Sequence, residues 1–391
     1  MTDLRWELLP RIFMKTFKYF ATCARGLEPV LFQEVQHLKA DNICQKDCGV
    51  SFEGDLKILY KANLCLRTAI RILRVELETE IRSDSELYQM VRSIDWSQYT
   101  NEDQTISVDS NVWDSFLTHS MFASQRVKDA VCDQFVDKTG RRPSVDRVNP
   151  QLKINFHLHN NKAVISLDSS GDSLHKRGYR PKQWKAPINE SLASGLVLLS
   201  GWEKNQLFWD PMCGSGTIPI EAAMIATGRA PGLTRKRFGF QAWTDYNAST
   251  FLKMRDELRG CSTKNAECQI FGSDSRSDSF HACKETAGAA GVGHVIRFFQ
   301  EDFTDIDPSK YSPGLLLMNP PYGVRVGDAR EMPRLYREIG GIFRERFSGW
   351  SLAMLTGYPH ALNELKMNPE KNIRLFNGPI PCKFLVFRNG N

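Results

Sequence analysis
Apolar positions along the chain keep two rhythms, and the balance between them changes near residue 188. Before that point, "KYFATCA" reads as a short strand. "GLEPVLFQEVQHLK" then sets Leu27, Val30, Leu31, Val35 and Leu38 at helical spacing. "GVSFEGD" and "RTAIRILRVELE" are strand-like, with the helix "LKILYKANLC" between them. This β-α-β-α-β order predicts a small α+β unit over 14–82. A second unit is predicted over 83–170. It opens with "SDSELYQMVRSI", a helix entered through a Ser/Asp cap. "QTISVDS" alternates as a strand does, and "HSMFASQRVKDAVCDQFVDKTG" is an amphipathic helix stopped at Gly140. "LKINFHLHNNKAVISLDSS" is a hairpin about Asn160-Asn161.

From 188 onward, helical and strand-like blocks alternate. "INESLASGLVLLSGW", "TIPIEAAMIATG", "SDSFHACKETAGAAGV", "EMPRLYREIGGIFRERF" and "HALNELKM" read as helices. "QLFWD", "QIFGSD", "VIRFFQED", "LLLMNPPYG" and "SLAMLTGY" read as strands, and "IRLFNGPIPCKFLVF" as a closing hairpin about Asn-Gly. The alternation predicts an α/β domain over 188–391 with a mainly parallel sheet, helices on both faces and ligands at the carboxyl ends of the strands.

Composition narrows the class without choosing it. The 391 residues are 41% hydrophobic and 25% charged, ordinary for a globular chain. A net charge of +6 is compatible with a polyanionic partner. Cys44 and Cys48 form a lone CxxxC, and neither they nor Cys261 and Cys268 have a matching Cys or His pair. No metal site and no disulfide framework is expected, and the thiols read as reduced and cytoplasmic. No apolar run approaches the ~20 residues that span a bilayer. "MTDLRWELLPRIF" has no signal-peptide core; residues 1–13 read as an extension, with Met14 as a second candidate start.

Basic residues gather in two places. Arg126, Lys128, Lys138, Arg141, Arg142 and Arg147 lie near the end of the second unit's long helix. The linker 171–187 contains "HKRGYRPKQWKAP", where Arg177, Arg180 and other cations interleave with Tyr179 and Trp184. Cations neutralise phosphates and aromatics stack on bases, so Arg141, Arg142, Arg177 and Arg180 are candidate RNA contacts. A solvated helix face and a polar connector would use the same residue types.

The strand ends carry the chemistry. Asp210-Pro-Met-Cys213-Gly214-Ser215-Gly216-Thr217 ends a strand on a carboxylate and opens a helix through a glycine turn. No Lys-Ser/Thr follows, and Pro219 stands where a dinucleotide fingerprint needs a small residue, so a phosphate ligand is not expected. The carboxylate suits a ligand with an amino group or a sulfonium charge. Asp274, at the next strand end, can accept hydrogen bonds from ribose hydroxyls. Asp302 and Phe303, at the third, suit an adenine amine and an adenine face. Each acid could equally cap a helix; three in order argue for one shared ligand. Last comes Asn319-Pro320-Pro321-Tyr322. Two prolines end the ladder and stiffen the loop. The Asn319 oxygen and the Pro320 carbonyl can accept both hydrogens of a planar base's exocyclic amine while Tyr322 stacks on its ring, which aims a poorly nucleophilic nitrogen at an electrophile.

"DPMCGSGT" followed by "LLLMNPPYG" resembles the class I S-adenosylmethionine-dependent methyltransferases that act on exocyclic amines of nucleobases. With "ATCARGLE", "HKRGYR…AP" and the closing hairpin, the chain from about 14 resembles the bacterial THUMP-domain RNA methylases of the RlmL/YpsC type, which modify guanine N2 in large-subunit (23S) rRNA. The resemblance implies a Rossmann-like methyltransferase sheet with a C-terminal β-hairpin, preceded by ferredoxin-like and THUMP modules, the latter RNA-binding. It also implies S-adenosyl-L-methionine at Asp210, Cys213, Gly214, Gly216, Asp274 and Asp302, and the target amine at Asn319, Pro320 and Tyr322. Two features depart from the family: Val324 follows "NPPYG" where an acidic residue is usual, and the chain stops after the hairpin. The insertion 229–266, with Arg235, Lys236 and Arg237, is expected to contact RNA or to cap the cofactor. Adenine-N6 methylation of RNA or DNA, guanine-N2 methylation of tRNA and a non-catalytic role in ribosome assembly stay open at this level.

Overall fold
The computed structural model describes residues 15–180, 188–323 and 328–389. The extension 1–13, Met14, Trp184 and Val324 lie outside the described residues. The first half runs β1 (Phe17–Cys23), α1 (Glu28–His37), β2 (Asp41–Lys46), β3 (Gly49–Gly54), α2 (Leu56–Cys65), β4 (Ala69–Glu80), α3 (Asp84–Arg92), β5 (Thr105–Trp113), α4 (Ser120–Thr139), β6 (Ser144–Val145), β7 (Leu152–His159) and β8 (Lys162–Asp168). The helix starts follow local chemistry. Asp55 accepts from the Ile58 N–H at the head of α2. At α3, Ser83 accepts from Glu86 N–H while the Glu86 carboxylate reaches back to Arg82 N–H. α4 stops where Gly140 takes φ +71°.

The two predicted front units are not two sheets. Their strands join in one eight-stranded sheet, ordered β2-β3-β1-β4-β8-β7-β5-β6, because β4 pairs antiparallel with β8 from Leu73–Asp168 to Glu80–Lys162. β2 escaped the sequence reading: it is an edge strand whose side chains are almost all exposed, so no alternation marks it. On β7, Leu152, Ile154, Phe156 and Leu158 are buried under the helices, while the alternate residues face outward.

The second half runs α5 (Glu190–Leu199), β9 (Leu207–Asp210), α6 (Thr217–Ala226), α7 (Ala248–Gly260), β10 (Ile270–Asp274), α8 (Ser277–Ala290), β11 (Ile296–Gln300), β12 (Gly314–Met318), α9 (Met332–Arg346), β13 (Ser351–Thr356), α10 (Ala361–Leu365), β14 (Lys371–Asn377) and β15 (Ile380–Arg388). These strands form a seven-stranded sheet, β11-β10-β9-β12-β13-β15-β14, with β9 to β13 parallel and the terminal hairpin antiparallel. All four residues of β9 are buried, as a central strand covered on both faces requires. The hairpin turns through Gly378-Pro379, with Gly378 at φ +64°, rather than about Asn-Gly. Asn377 pairs with Ile380 as the last residue of β14.

The two sheets meet along a buried seam that the sequence reading had given to RNA. Arg177 is 1% exposed. Its guanidinium donates to the carbonyls of Leu174 and Arg67 and lies 3.5 Å from the Glu221 carboxylate on α6. Tyr179 donates to the same carboxylate at 2.8 Å. Arg180 donates to Ile188 O and to Thr217 Oγ1 in the first turn of α6. Arg177 therefore does not offer its charge to a phosphate, whereas Arg180, held at the seam and near Glu190, keeps 19% of its side chain exposed. Arg235, also buried, donates to the carbonyls of Ser170, Asp172, Ser173 and Lys176. The rest of the insertion packs on the front half. Phe240, Tyr246 and Phe251 surround Tyr60, and the fully buried Arg74 pairs with Asp245 and lies over Trp243. The insertion is the joint between the halves: Arg235 is spent there, while Lys236 and Arg237 remain exposed.

Candidate active site
β9 sits between β10 and β12, so the loops after these three strands share one edge of the sheet. Asp210 ends β9. It is 1% exposed, and its Oδ1 accepts from Met212 N–H at 3.1 Å. Burial, reinforced by nearby Asp274, holds its carboxyl well above the usual carboxylate range. Its Oδ1 is spent on shaping the turn, and its Oδ2 has no protein partner among the described residues.

Past Asp210 the chain doubles back. Cys213 N–H donates to Ser273 O, and Gly214 N–H donates to Asp274 Oδ2, both at 2.9 Å. Gly214 takes φ +53° and a side chain built on it would meet nothing within 4 Å, so its backbone borders open space. Gly216, at φ +79°, caps α6; a Cβ there would lie 2.8 Å from that of Cys283. A hydrogen bond with Cys283, together with burial, pushes the Cys213 thiol up. It is a neutral thiol and not a nucleophile.

Asp274 fastens the β9 and β10 loops together: Oδ2 takes Gly214 N–H and Oδ1 takes Arg276 N–H. Asp302 uses Oδ1 to hold Thr304 N–H and its hydroxyl, leaving Oδ2 without a protein partner among the described residues. Phe303 is not a stacking face. It is 3% exposed, in the core beneath α9, with its ring stacked on Phe347.

At the end of β12, Asn319 is half-buried, yet its Oδ1 is sealed from water and has no hydrogen-bond partner among the described residues. An orphaned buried acceptor is costly unless a ligand donor meets it. Pro320 is buried, and the Tyr336 hydroxyl reaches Pro321 O at 3.4 Å and Thr356 Oγ1 at 2.6 Å. Tyr322 is held from behind. Asn377 Nδ2 donates to its hydroxyl at 2.7 Å, and its ring lies so close to Gly357 that a Cβ there would sit 2.9 Å from it. Sequence reasoning missed Asn377, Gly357, Tyr336 and Thr356. They lie on α9, at the end of β13 and on the hairpin, with no motif around them. Arg141 and Arg142 are exposed near the end of α4, far along the front sheet; Arg141 pairs with Asp103. Among the described residues no cluster of metal-ligating side chains occurs.

Comparisons with known proteins agree with this arrangement. The family model described as RMKL-like methyltransferase domain matches residues 177–385, the THUMP domain model 82–168 and the RlmL ferredoxin-like domain model 18–73. The ribosomal RNA large subunit methyltransferase K/L of Shewanella frigidimarina is 36% identical over 375 residues, 95% of this chain and 52% of that protein. The chain thus spans about half the length of such curated relatives. A candidate RNA methyltransferase of Synechocystis sp. is 34% identical over 95% of this chain and 97% of its own length. The crystal structure of SMU.472, a methyltransferase candidate complexed with SAH, superposes with a TM-score of 0.87 at 30% identity, covering 97% of this chain and 100% of that one. The glycine turn fastened to Asp274, the Asn-Pro-Pro-Tyr strand end and these matches lead to one conclusion: this chain belongs to the RMKL-like methyltransferase family, with ferredoxin-like and THUMP domains ahead of its Rossmann-like sheet.

Proposed function
We propose that the chain is an S-adenosyl-L-methionine-dependent RNA methyltransferase that modifies the exocyclic N2 of a guanosine in large-subunit (23S) rRNA. One observation carries the reading: the sealed, unpartnered Oδ1 of Asn319 at the end of β12, one strand from the Gly214 loop. The residues present fit the cofactor. Gly214 borders open space, Gly216 opens α6, Asp274 keeps lone pairs for ribose hydroxyls, and Asp302 Oδ2 can take an amine. When bound, S-adenosylmethionine supplies an electrophilic methyl on a sulfonium.

The chain's own part is positioning. A guanine leaves the RNA stack at a cost of about a few kcal/mol and enters against Tyr322, whose ring is clamped by Asn377 and Gly357. Asn319 Oδ1 and the Pro320 carbonyl accept the two N2 hydrogens, and the nitrogen lone pair then points along the line of transfer. Hydrogen bonding to both hydrogens raises electron density on nitrogen as positive charge develops there, a stabilisation that grows toward the transition state. Afterwards the methylated nitrogen, now cationic and acidic, loses its surplus proton to water. Arg142 and the front sheet supply phosphate contacts, with Arg141 shared between RNA and Asp103.

Adenine N6 is the second reading, because the same two acceptors serve either amine. The THUMP match and the large-subunit rRNA names of the relatives support an rRNA substrate, and guanine N2 is what the family resemblance implies. The test is methyl transfer from labelled donor to rRNA of cells lacking the gene, followed by nucleoside mass spectrometry. N2-methylguanosine in large-subunit RNA supports the proposal. N6-methyladenosine moves it to the second reading, and cofactor binding without product on RNA or precursor particles points to a non-catalytic assembly role.

A further inference from the structure
Two buried carboxylates of this chain, Asp168 and Glu221, have both oxygens engaged by protein donors. Asp168 takes Ser170 N–H on one oxygen and Arg71 on the other, and Glu221 takes Tyr179 and Ser194. Glu190, the first residue of α5, differs from both. It is 3% exposed, and its Oε2 is sealed from water with no hydrogen-bond partner among the described residues. Its Oε1 faces the Arg180 guanidinium at 3.6 Å, beyond good hydrogen-bond reach. Burial holds the Glu190 carboxyl above the usual carboxylate range, against the pull of Arg180. A buried acceptor left in this state is costly until a donor meets it.

Arg180 links this carboxylate to the glycine turn. Its Nη2 donates to Thr217 Oγ1 at 2.9 Å, and that hydroxyl lies 3.3 Å from Ser215 Oγ within the turn. Arg180 Nε is itself buried and unpartnered among the described residues. α6 starts at Thr217, and its first turn leaves the N–H groups of Thr217 and Ile218 without helix partners. An unmet carboxylate oxygen therefore stands beside an unmet guanidinium N–H at the positive end of a helix. That pairing is the complement of a zwitterion, in which an ammonium seeks the acceptor and a carboxylate seeks the guanidinium and the helix end. The place also agrees with a ligand lying along the turn. Asp274 fastens Gly214, where the ribose is read to sit, and the chain then leads through Ser215 to Thr217.

We propose that Glu190 and Arg180 form a subsite for the amino-acid end of S-adenosylmethionine, with Glu190 Oε2 accepting from the ammonium and Arg180 Nε and the first turn of α6 donating to the carboxylate. The proposal rests on the cofactor reading above and adds the residues that hold this end.

The experiment uses the full chain and calorimetric titration with two probes. S-adenosylhomocysteine carries the amino-acid end, and 5′-methylthioadenosine is the same adenosine thioether without it. The wild type is expected to bind S-adenosylhomocysteine at least about tenfold more tightly. Glu190→Gln, which keeps the shape and removes the charge, is expected to weaken S-adenosylhomocysteine about tenfold or more and 5′-methylthioadenosine less than about twofold. Arg180→Lys keeps the cation and loses the fork, and should show the same selective loss at several-fold; it decides the matter if Glu190→Gln fails to melt cooperatively. Unchanged binding in both variants, equal losses for the two probes, or a wild type that binds the probes equally well overturns the subsite and leaves the cofactor reading standing. A wild type that binds neither probe overturns both.

Discussion
Asn377→Ala removes the amide that donates to the Tyr322 hydroxyl at 2.7 Å. The donor is 6% exposed and sits on the closing hairpin, so the lost contact is only partly replaced by water. A neutral hydrogen bond in such a place contributes about 1 kcal/mol. Realised wholly as orientation of the stacking ring, that value lowers kcat/KM about fivefold. Tyr322→Phe deletes the other partner and keeps the ring against Gly357, so it should cost about the same. The double variant should lose no more than either single one, which gives a coupling energy of about 1 kcal/mol. Tyr322→Ala also removes the stacking face and should cost about five- to a hundredfold. The assay is steady-state and single-turnover methyl transfer to an rRNA transcript, with donor affinity measured separately and expected to be unchanged. Single losses that multiply in the double variant, or a full rate in Asn377→Ala, would refute the clamp.

Three further outcomes are expected. Asn319→Ala should reduce the single-turnover rate by roughly 10²–10³-fold with calorimetric affinity for S-adenosylhomocysteine unaltered, because only the acceptor of the target amine is gone. Arg235→Ala orphans buried carbonyls on the 170–176 segment and should cost about 3 kcal/mol in urea unfolding; full stability with weaker RNA binding would return this residue to the RNA surface. His175 is held down from 6.5 to about 4 by burial and by the cations around it, Arg177 first. The unfolded chain takes up this proton below 6.5 and the folded chain only near 4, so the contribution is present above 6.5 and lost as pH falls toward 4. His175→Asn should flatten that part of the stability curve, and an unchanged curve would remove His175 from the account.

What could be read from sequence had a local cause. Buried strands such as β9 and β12, the capped helices and the two strand-end motifs each announce themselves within a few residues. What could not be read depends on distant partners. "HKRGYR" has the composition of an RNA-binding segment, but Arg177 and Tyr179 find Glu221 across the seam. Burial reverses the meaning of a cation: the same charge that would draw a phosphate instead satisfies carbonyls. Phe303 follows the expected acid at the expected strand end, yet α9 covers it and Phe347 occupies its face. Asn377 precedes a glycine, where an Asn reads as part of the turn; the fold instead makes it the last residue of β14 and brings it to Tyr322.

The buried seam has a mechanical consequence. Arg67 reaches the carbonyls of Met224 and Arg229, and Ser194, Tyr179 and Arg177 all meet at Glu221 on the helix that begins at the glycine turn. Such a joint behaves as the rivet of a fixed caliper rather than as a hinge. One jaw is the front sheet, and the other is the strand end at Asn319. The opening between the jaws is set at folding, so under the proposed RNA reading a nucleotide would be chosen by how far it stands from the feature gripped by the other jaw. Lengthening the RNA between those two points by a single base pair should therefore move the methyl mark to a new residue or abolish it, even with the target sequence intact.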